Sequence, residues 1–293
     1  MSILSKRRKI SGFDFAITAI LVVWGLVILY PFYNSIIVSF VSQKEYTLKP
    51  FTLWPEKWEF ASYQYVFSNS KVFTGYKNTF IILLFGVPYN IIITFLTAYA
   101  ISRDWFPGKK IIVYMIVFTM FFNGGMVPLY LLMRQLKLIN KLASVILLYG
   151  INTFYLIIIR NYFESIPKSL EEAARIDGAN DIVILLRIFL PLSMPILATF
   201  LLFYSVDRWN EWFFSMLFIN DCGKWPLQAA LRNIIMSSYV SEFQTGNGSM
   251  RTKVFGDSVK MASVVVTMGP IMIVYPFLQK YFTKGLLVGA VKG

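Results

Sequence analysis

The sequence predicts an all-α membrane protein built from six transmembrane helices. Of its 293 residues, 57% are hydrophobic and 17% aromatic, only 15% are charged, and the mean hydropathy is +0.60. Soluble domains rarely combine such apolarity with so few charges. Several apolar stretches reach about 20 residues, the length that a helix needs to cross a hydrocarbon core. Both observations favour one membrane-embedded bundle over a set of soluble domains.

The N-terminal segment predicts the orientation of the bundle. Four basic residues, Lys6, Arg7, Arg8 and Lys9, precede the first apolar run, and basic residues beside a span favour the cytoplasmic side. The run is longer than the core of a secretory signal, so it predicts an uncleaved first helix. An even number of spans then places both termini in the cytoplasm. Basic residues that flank spans also explain the net charge of +13 without a nucleic-acid partner.

Apolar runs and polar breaks define the remaining elements. A cytoplasmic N-terminus, 1–12, precedes a transmembrane domain over 13–282. An aromatic-rich, proline-containing first outer loop follows the first span, and a short basic turn separates the second span from the third. The longest later polar stretches predict a cytoplasmic loop at 163–189, an outer loop at 220–260 and a cytoplasmic tail at 283–293. The predicted helices are 13–40, 77–101, 111–133, 142–162, 192–219 and 261–282.

Residue types exclude several kinds of chemistry. The chain contains one cysteine, Cys222, and no histidine, so an internal disulfide, a His/Cys metal site and histidine catalysis are excluded. No phosphate-binding loop motif is present. We therefore expect no metal and no cofactor on this chain, and any ATP that drives it must bind another chain.

A polar island at 172–191 carries the most specific pattern in the sequence. Glu172, Ala173 and Ala174 are followed by Gly178, and then by an isoleucine, a leucine and a proline at fixed spacing. Ser169 and Glu172 predict a capping box at the start of a short helix. Gly178 suits a left-handed end of that helix, and Asn180 or Asp181 predicts a cap for the next one. Capping alone does not require the later residues at set distances, so the pattern indicates a docking surface.

The 172–191 pattern resembles the cytoplasmic loop by which permease subunits of binding-protein-dependent ABC importers hold their ATPase. The segments 121–148, 160–181 and 261–293 resemble carbohydrate importer permeases related to the maltose importer's second permease subunit, especially their oligo- and polysaccharide branch. The resemblance covers most of 75–293. It implies a type I importer permease bundle in the bacterial cytoplasmic membrane, which moves its substrate by alternating access.

The same resemblance implies partners and contact residues. A homologous second permease subunit would complete the pore, two ATPase subunits would carry ATP and magnesium, and an extracytoplasmic solute-binding protein would deliver the saccharide. The C-terminal tail resembles a family segment that inserts toward the ATPases, although it also fits a frayed end. The tail residues are Gly285, Gly289, Lys292 and Gly293. The ATPase-coupling residues are Glu172, Ala173, Ala174, Asp177, Gly178, Ala179, Ile188, Leu190 and Pro191.

Polar residues inside apolar segments predict the substrate path. Charges near a membrane tend to face a wet cavity or each other, and aromatic faces can stack on sugar rings. An interfacial tryptophan belt explains the cluster in the fifth segment equally well. The break at 123–125 fits a gate or a packing notch, and Asn152 fits a pore or a helix–helix hydrogen bond. The path residues are Asp207, Arg208, Trp209, Asn210, Trp212, Asn123 and Asn152.

The sequence leaves the transported solute open. Basic outer loops suit an acidic saccharide such as alginate, but they also suit anionic lipid. A permease for a non-sugar solute is the nearest alternative. A membrane glycosyl or lipid transferase that uses Asp207 and Glu211 is a further one, although it does not explain the 172–191 spacing.

Overall fold

The computed structural model describes residues 12–49, 51–244 and 256–290. Within these ranges the chain is helical and contains no strand. Its contacts divide it into two units, each of which combines two stretches of sequence. The first unit contains Met1–Ser68 and Ile234–Met268, and the second contains Asn69–Asn233 and Gly269–Gly293.

The first unit is dominated by one long, exposed, apolar helix. Helix α1 (Gly12–Val38) buries none of its most apolar stretch inside the protein, as expected for a helix that faces lipid or another subunit. Two shorter helices, α2 (Gln43–Leu48) and α3 (Ala61–Ser68), follow it. Between α1 and α3, the ring of Phe40 packs against aromatic residues of the following segment. These are Trp58, Phe60 and Tyr63, with centroids 4.9–5.3 Å away.

The second unit is organised around α4 (Ser70–Ser102), the longest helix that lies wholly within it. Helix α4 packs against two helices that come much later in the chain, α8 (Thr153–Ser165) and α12 (Met194–Trp209). Between them lie α5 (Lys109–Phe121), α6 (Met126–Gln135), α7 (Leu142–Leu147), α9 (Lys168–Ile176), α10 (Asp181–Ile184), a π-helix (Leu185–Phe189) and α11 (Leu190–Leu192). After α12 come α13 (Phe213–Phe218), a 3-10 turn (Cys222–Lys224), α14 (Leu227–Gln244) and α15 (Gly256–Ala290), the last two shared with the first unit.

Interlocking aromatic rings fill the core where α4, α8 and the 181–200 segment meet. Phe163 is fully buried and makes edge-to-face contacts with Phe95 and Phe189, each with centroids 5.5 Å apart. Such pairs contribute about 0.5–1.5 kcal/mol each beyond area burial. Because Phe163 and Phe189 are in contact, the two ends of the 163–189 segment pack together in this core.

Three helices among the described residues are long and apolar enough to cross a membrane. They are Gly12–Val38, Ser70–Ser102 and Gly256–Val274 within α15. Two further spans result if each sharply bent helix pair counts as one. These pairs are α5 with α6, bent by 115°, and 181–192 with α12, bent by 82°. The all-α membrane fold is confirmed, whereas the count of six spans stays a prediction.

The predicted third and fourth spans are not continuous helices. The third, 111–133, breaks between α5 and α6, where the Asn123 side chain accepts a hydrogen bond from the backbone of Gly125 at 2.9 Å. The fourth, 142–162, is wrong as a single helix, because α7 ends at Leu147 and α8 starts at Thr153. Asn152 caps α8 by accepting from the backbone N–H of Phe154 at 3.0 Å. The sequence prediction misses these breaks because the mean hydropathy of the segment is the same whether its helix is continuous or is interrupted and capped by an asparagine.

The later boundaries also differ from the sequence prediction. The fifth span, 192–219, is divided into α12 and α13. The predicted outer loop, 220–260, contains the whole of α14, whose sequence LQAALRNIIM has a helical apolar spacing, and the start of α15. Helix α15 starts before and continues beyond the predicted 261–282, so Gly285 and Gly289 are helical, while Lys292 and Gly293 lie outside the described residues.

Candidate functional site

The segment 168–191 forms a helix, a tight turn and a second helix. Helix α9 starts after Pro167 with no side-chain cap, so Ser169 lies inside the helix and the predicted capping box does not form. The turn was predicted correctly, since Gly178 has a φ of +81°. Asn180 then caps α10 by accepting from the backbone N–H of Val183 at 2.9 Å. The left-handed residue therefore sets the angle between the two helices.

The motif residues divide between an exposed face and an anchored face. Glu172, Ala173, Asp177 and Gly178 are exposed, and Pro191 is exposed further along. Ile176 lies beside them with 86% of its surface accessible. Four motif residues instead pack against the buried core of the bundle, namely Ala174, Ala179, Ile188 and Leu190. Some of the predicted coupling residues therefore form an exposed surface, and the others attach the segment to the core of the bundle.

Charged residues outside the motif anchor α9 to the bundle. Glu171 accepts hydrogen bonds from Arg103 and from Arg175, the latter at 3.0 Å. Arg175 also bonds the Asp181 carboxylate, which links α9 to α10. The hydrogen bond from Arg175 to Glu171 raises the arginine pKa. The sequence predicts only a short basic turn at Arg103. An apolar run that ends in arginine does not indicate that this arginine pairs with Glu171, which is far away in the sequence.

A second, exposed set of charges lies beside this anchor. Asp104 accepts hydrogen bonds from Lys109, at 2.7 Å, and from Lys168 at the start of α9. These two ammonium groups, Lys109 first, lower the pKa of Asp104 to about 2. The hydrogen bond between Lys168 and Asp104 also raises the pKa of Lys168. The pair between Lys168 and Asp104 is solvent-exposed, so it contributes little to the stability of α9.

The broken helices surround two adjoining cavities, whose walls carry polar groups among apolar surface. The larger, about 660 Å³, lies between the α5–α6 break and the segment that precedes α8, and brings together the predicted path residues Asn123 and Asn152. The smaller, about 270 Å³, shares Tyr149 and Asn152 with the first. Its other lining residues are Tyr204, Asp207, Arg208 and Glu211. Tyr149, half exposed and with a φ of +51°, extends between them.

Arg208 borders the smaller cavity but is committed to the protein. Its side chain is buried, and Nε donates to the Asn90 side chain at 3.0 Å. The other nitrogens donate to three carbonyls at the end of α7, which the helix itself leaves unpaired. The acceptors are the carbonyl oxygens of Val145, Ile146 and Leu148. Four of its five N–H donors are therefore used within the protein, and a contact between Arg208 and substrate stays a prediction.

The neighbouring path residues are placed apart from the cavities. Trp209 is buried, and its ring packs near Tyr76 and Phe80 with centroids 6.4 and 6.3 Å away. Asn210 is exposed and accepts from Gln228 at 3.2 Å. Trp212 stacks under the guanidinium of Arg232, 3.8 Å from its ring centre. Of the five residues predicted in the fifth segment, Asp207 and Arg208 line the smaller of these two cavities, and the other three line neither of the two.

Bent membrane helices around two cavities, together with an anchored helix and turn that present an exposed face, fit a transport permease. The chain belongs to the family described as "Binding-protein-dependent transport system inner membrane component", which its sequence matches over residues 60–288. Members of this family are inner-membrane subunits of importers. The match includes both cavities and the 168–191 segment.

Relatives and a solved structure agree with this assignment. The chain is 38% identical to the polygalacturonan/rhamnogalacturonan transport system permease protein YtcP of Bacillus subtilis over 96% of this chain and 98% of the relative. It is 32% identical to the trehalose/maltose transport system permease protein MalG of Thermococcus litoralis, over 93% and 94%. Its fold matches a chain of a bacterial ABC transporter involved in the import of the acidic polysaccharide alginate, with a TM-score of 0.80, 34% identity and coverage of 92% and 96%.

Proposed function

We propose that this chain is a permease subunit of an ABC importer for oligo- or polysaccharides, and that it is coupled to ATPases through the 168–191 segment. The observation that carries the coupling is the division of that segment into two faces. The face with Glu172, Ala173 and Gly178 is open, while the opposite face is packed on the core. This face combines small residues, the apolar side chain of Ile176 and the carboxylates of Glu172 and Asp177, and such a surface suits insertion into a cleft of another protein.

The partners follow from the membership of the family. A binding-protein-dependent system supplies a solute-binding protein outside. ATP and magnesium belong to two ATPase subunits, one of which docks at α9 of this chain. A second permease completes the pore. The exposed apolar surface of α1 supports contact with lipid or that partner, since it is too apolar for water. Gly285 and Gly289, with Lys292 and Gly293 beyond the described residues, remain candidates for a second ATPase contact.

The cavities support a saccharide as the substrate class. Their walls combine side-chain amides and phenols with aromatic faces, which suit hydroxyl groups and the C–H faces of sugar rings. The acidic character of the substrate rests on the relatives instead. Both YtcP and the matched solved structure have names that refer to acidic polysaccharides, with a carboxylate on each uronic acid unit.

The charges of the cavity limit what this chain can recognise. Its carboxylates are Asp207, which accepts from the Tyr155 hydroxyl at 3.0 Å, and Glu211, which accepts from the backbone N–H of Phe214 at 2.7 Å. Neither favours an anionic ligand, and the Arg208 guanidinium on the same wall donates to Asn90 and to backbone carbonyls. We infer that these cavities bind neutral hydroxyl faces of the saccharide, and that discrimination of its carboxylates arises elsewhere in the assembly.

Substrate-stimulated ATP hydrolysis in the reconstituted importer tests this proposal. The four-subunit complex with its binding protein is incubated with oligogalacturonate, alginate oligomers or a neutral maltooligosaccharide of equal length. Stimulation by a uronate oligomer above the neutral one supports the acidic class, and stimulation only by the neutral sugar places it among neutral-saccharide importers. If saccharides fail and amino acids or phosphate stimulate, the non-sugar permease is correct.

The transferase alternative finds no support in the geometry. A transferase needs a carboxylate that is free to act as base or nucleophile. Glu211 instead bonds the first turn of α13, and Asp207 bonds a tyrosine on α8. Both carboxylates therefore have positions set by the helix ends and breaks around them.

A further inference from the structure

Arg103 occupies the point where four segments of the second unit meet. It directly follows α4 and is 6% exposed. Its guanidinium lies over the Phe189 ring in the π-helix, 4.4 Å from the ring centre, and 5.1 Å from that of Tyr99 in α4. A stacked guanidinium keeps its edge free for hydrogen bonds.

The edge of this guanidinium bonds the remaining segments. One terminal nitrogen donates to Glu171 of α9, and the other donates to the backbone oxygen of Phe163 near the end of α8, at 3.4 Å. Nε donates to the Ser102 hydroxyl at 3.0 Å. Glu171 is itself mostly buried, with 14% of its side chain exposed. The ion pair is therefore shielded from water, where its electrostatic attraction is strong.

The other polar links of α9 cannot hold it as firmly. The pair between Lys168 and Asp104 is exposed, with more than 60% of each side chain accessible, and such pairs contribute little. The bonds from Arg175 to Glu171 and Asp181 stay within the 168–191 segment and do not reach the bundle. Among the described residues, the pair Arg103–Glu171 is the shielded ionic connection between α9 and α4.

The segment on the far side of α9 is built to bend. The π-helix ends at Phe189, and the chain turns by 82° between 181–192 and α12. At this bend the hydroxyl of Ser193 is fully buried without a hydrogen-bond partner in the described structure. π-Helical turns interrupt the regular helical hydrogen bonding and are frequent at functional sites, and a buried hydroxyl without a partner adds no bond that would stiffen the bend. A movement of α9 would be absorbed at this bend unless another contact carried it to α4.

We propose that Arg103 is a positioning residue that joins α9 to the end of α4, so that a displacement imposed on α9 moves α4 instead of bending the 185–193 segment. This inference rests on the proposed docking of an ATPase at α9. It predicts that loss of the pair separates hydrolysis from transport without releasing the ATPase, because the docking face contains neither residue.

A set of variants in the reconstituted importer tests this role. Glu171→Gln leaves the buried Arg103 charge without its carboxylate and is expected to reduce folded protein, whereas Arg103→Gln leaves Glu171 paired with Arg175. The double variant Arg103→Met with Glu171→Met removes both charges and keeps the apolar volume, so it is expected to fold. Arg103→Lys keeps the charge and loses the stacking. Arg160→Gln is the matched control, because Arg160 pairs with Glu164 within α8 and also bonds the Ile101 carbonyl at the end of α4, whereas Arg103 bonds α9.

The measurement is the amount of substrate transported per ATP hydrolysed, together with ATPase retention on the purified complex. We expect the double variant to retain the ATPase and lower this ratio at least about fivefold, the lower end of typical coupling between sites. Arg103→Lys should lie between it and the wild type, and Arg160→Gln should equal the wild type. A wild-type ratio in both the double variant and Arg103→Lys would overturn the positioning role. Absence of ATPase binding by the wild-type complex would overturn the proposed docking instead.

Discussion

Two buried arginines in the same unit have opposite kinds of partners. Arg208 bonds one amide and three backbone carbonyls inside the bundle, and no carboxylate accepts from it in the described structure. Arg103 pairs with Glu171 on a helix whose other face is exposed. The first arginine fixes the end of α7 in place. The second connects the bundle to a surface, so its loss should affect communication more than architecture.

The strongest test of this contrast is Arg208→Gln. The substitution removes hydrogen bonds to buried carbonyls, and each unsatisfied group costs about 1–3 kcal/mol, so we expect a large loss of folded protein. Thermal unfolding in detergent measures this loss. Gly86→Ala is a second variant with a smaller expected effect, because its new Cβ would only touch Arg208, at 3.4 Å from Nε. Normal folding with selective loss of charged substrate would instead assign Arg208 to the substrate path.

The turn at Gly178 should produce the next largest effect, on coupling alone. A β-branched residue at a φ of +81° is strained by about 1–2 kcal/mol, which misplaces α9 relative to α10. We expect Gly178→Val to insert into the membrane but to lose transport and ATPase association. Gly178→Asn is the matched control, because asparagine tolerates this conformation. Equal activity of the two variants would contradict the turn's role in docking.

Substitutions of two aromatic residues, one that lines the cavities and one that is buried, should have smaller effects of different kinds. Tyr149→Ala removes a half-exposed phenol that borders both cavities, and a lost stacking contact costs about 1 kcal/mol. Transport of charged and neutral analogues should therefore fall by the same few-fold factor. Trp209→Ala should instead lower the amount of folded protein, because the indole is buried. A pure transport defect in Trp209→Ala would return this residue to the substrate path.

The smallest effect should come from the exposed charges beside α9. The pKa of Asp104 is depressed to about 2, with Lys109 as the first cause. A carboxyl with a lowered pKa adds stability above its unfolded pKa of about 4, and that stability is lost as the pH falls from about 4 toward 2. The difference in melting temperature between wild type and Asp104→Asn should stay constant from pH 8 to 5. A difference that changes across that range would contradict this assignment.

The sequence predicts the elements that depend on local chemistry. Apolar length identifies the membrane helices, and the left-handed turn at Gly178 follows from glycine's freedom at positive φ. The break at 148–152 was missed, since it depends on Asn152 capping one helix and on Arg208 bonding the end of another across 60 residues of sequence.

The same limit applies to the candidate sites. A charge that interrupts an apolar run has the same pattern whether it faces a cavity, as Asp207 does, or bonds a helix end, as Arg208 does. Arg103 and Glu171 are 68 positions apart, and nothing local connects them. Tertiary hydrogen bonds between distant residues are therefore the part of this fold that pattern alone cannot supply.

Crosslinking at Ala173 tests the central claim most directly. Ala173→Cys in a Cys222→Ser background places one thiol on the exposed face of α9. In the assembled importer we expect this thiol to crosslink to an ATPase subunit through a short bifunctional maleimide, and to resist a membrane-impermeant maleimide added outside intact cells. Labelling from outside, or an active complex with no crosslink to the ATPase, would contradict the docking of the 168–191 segment.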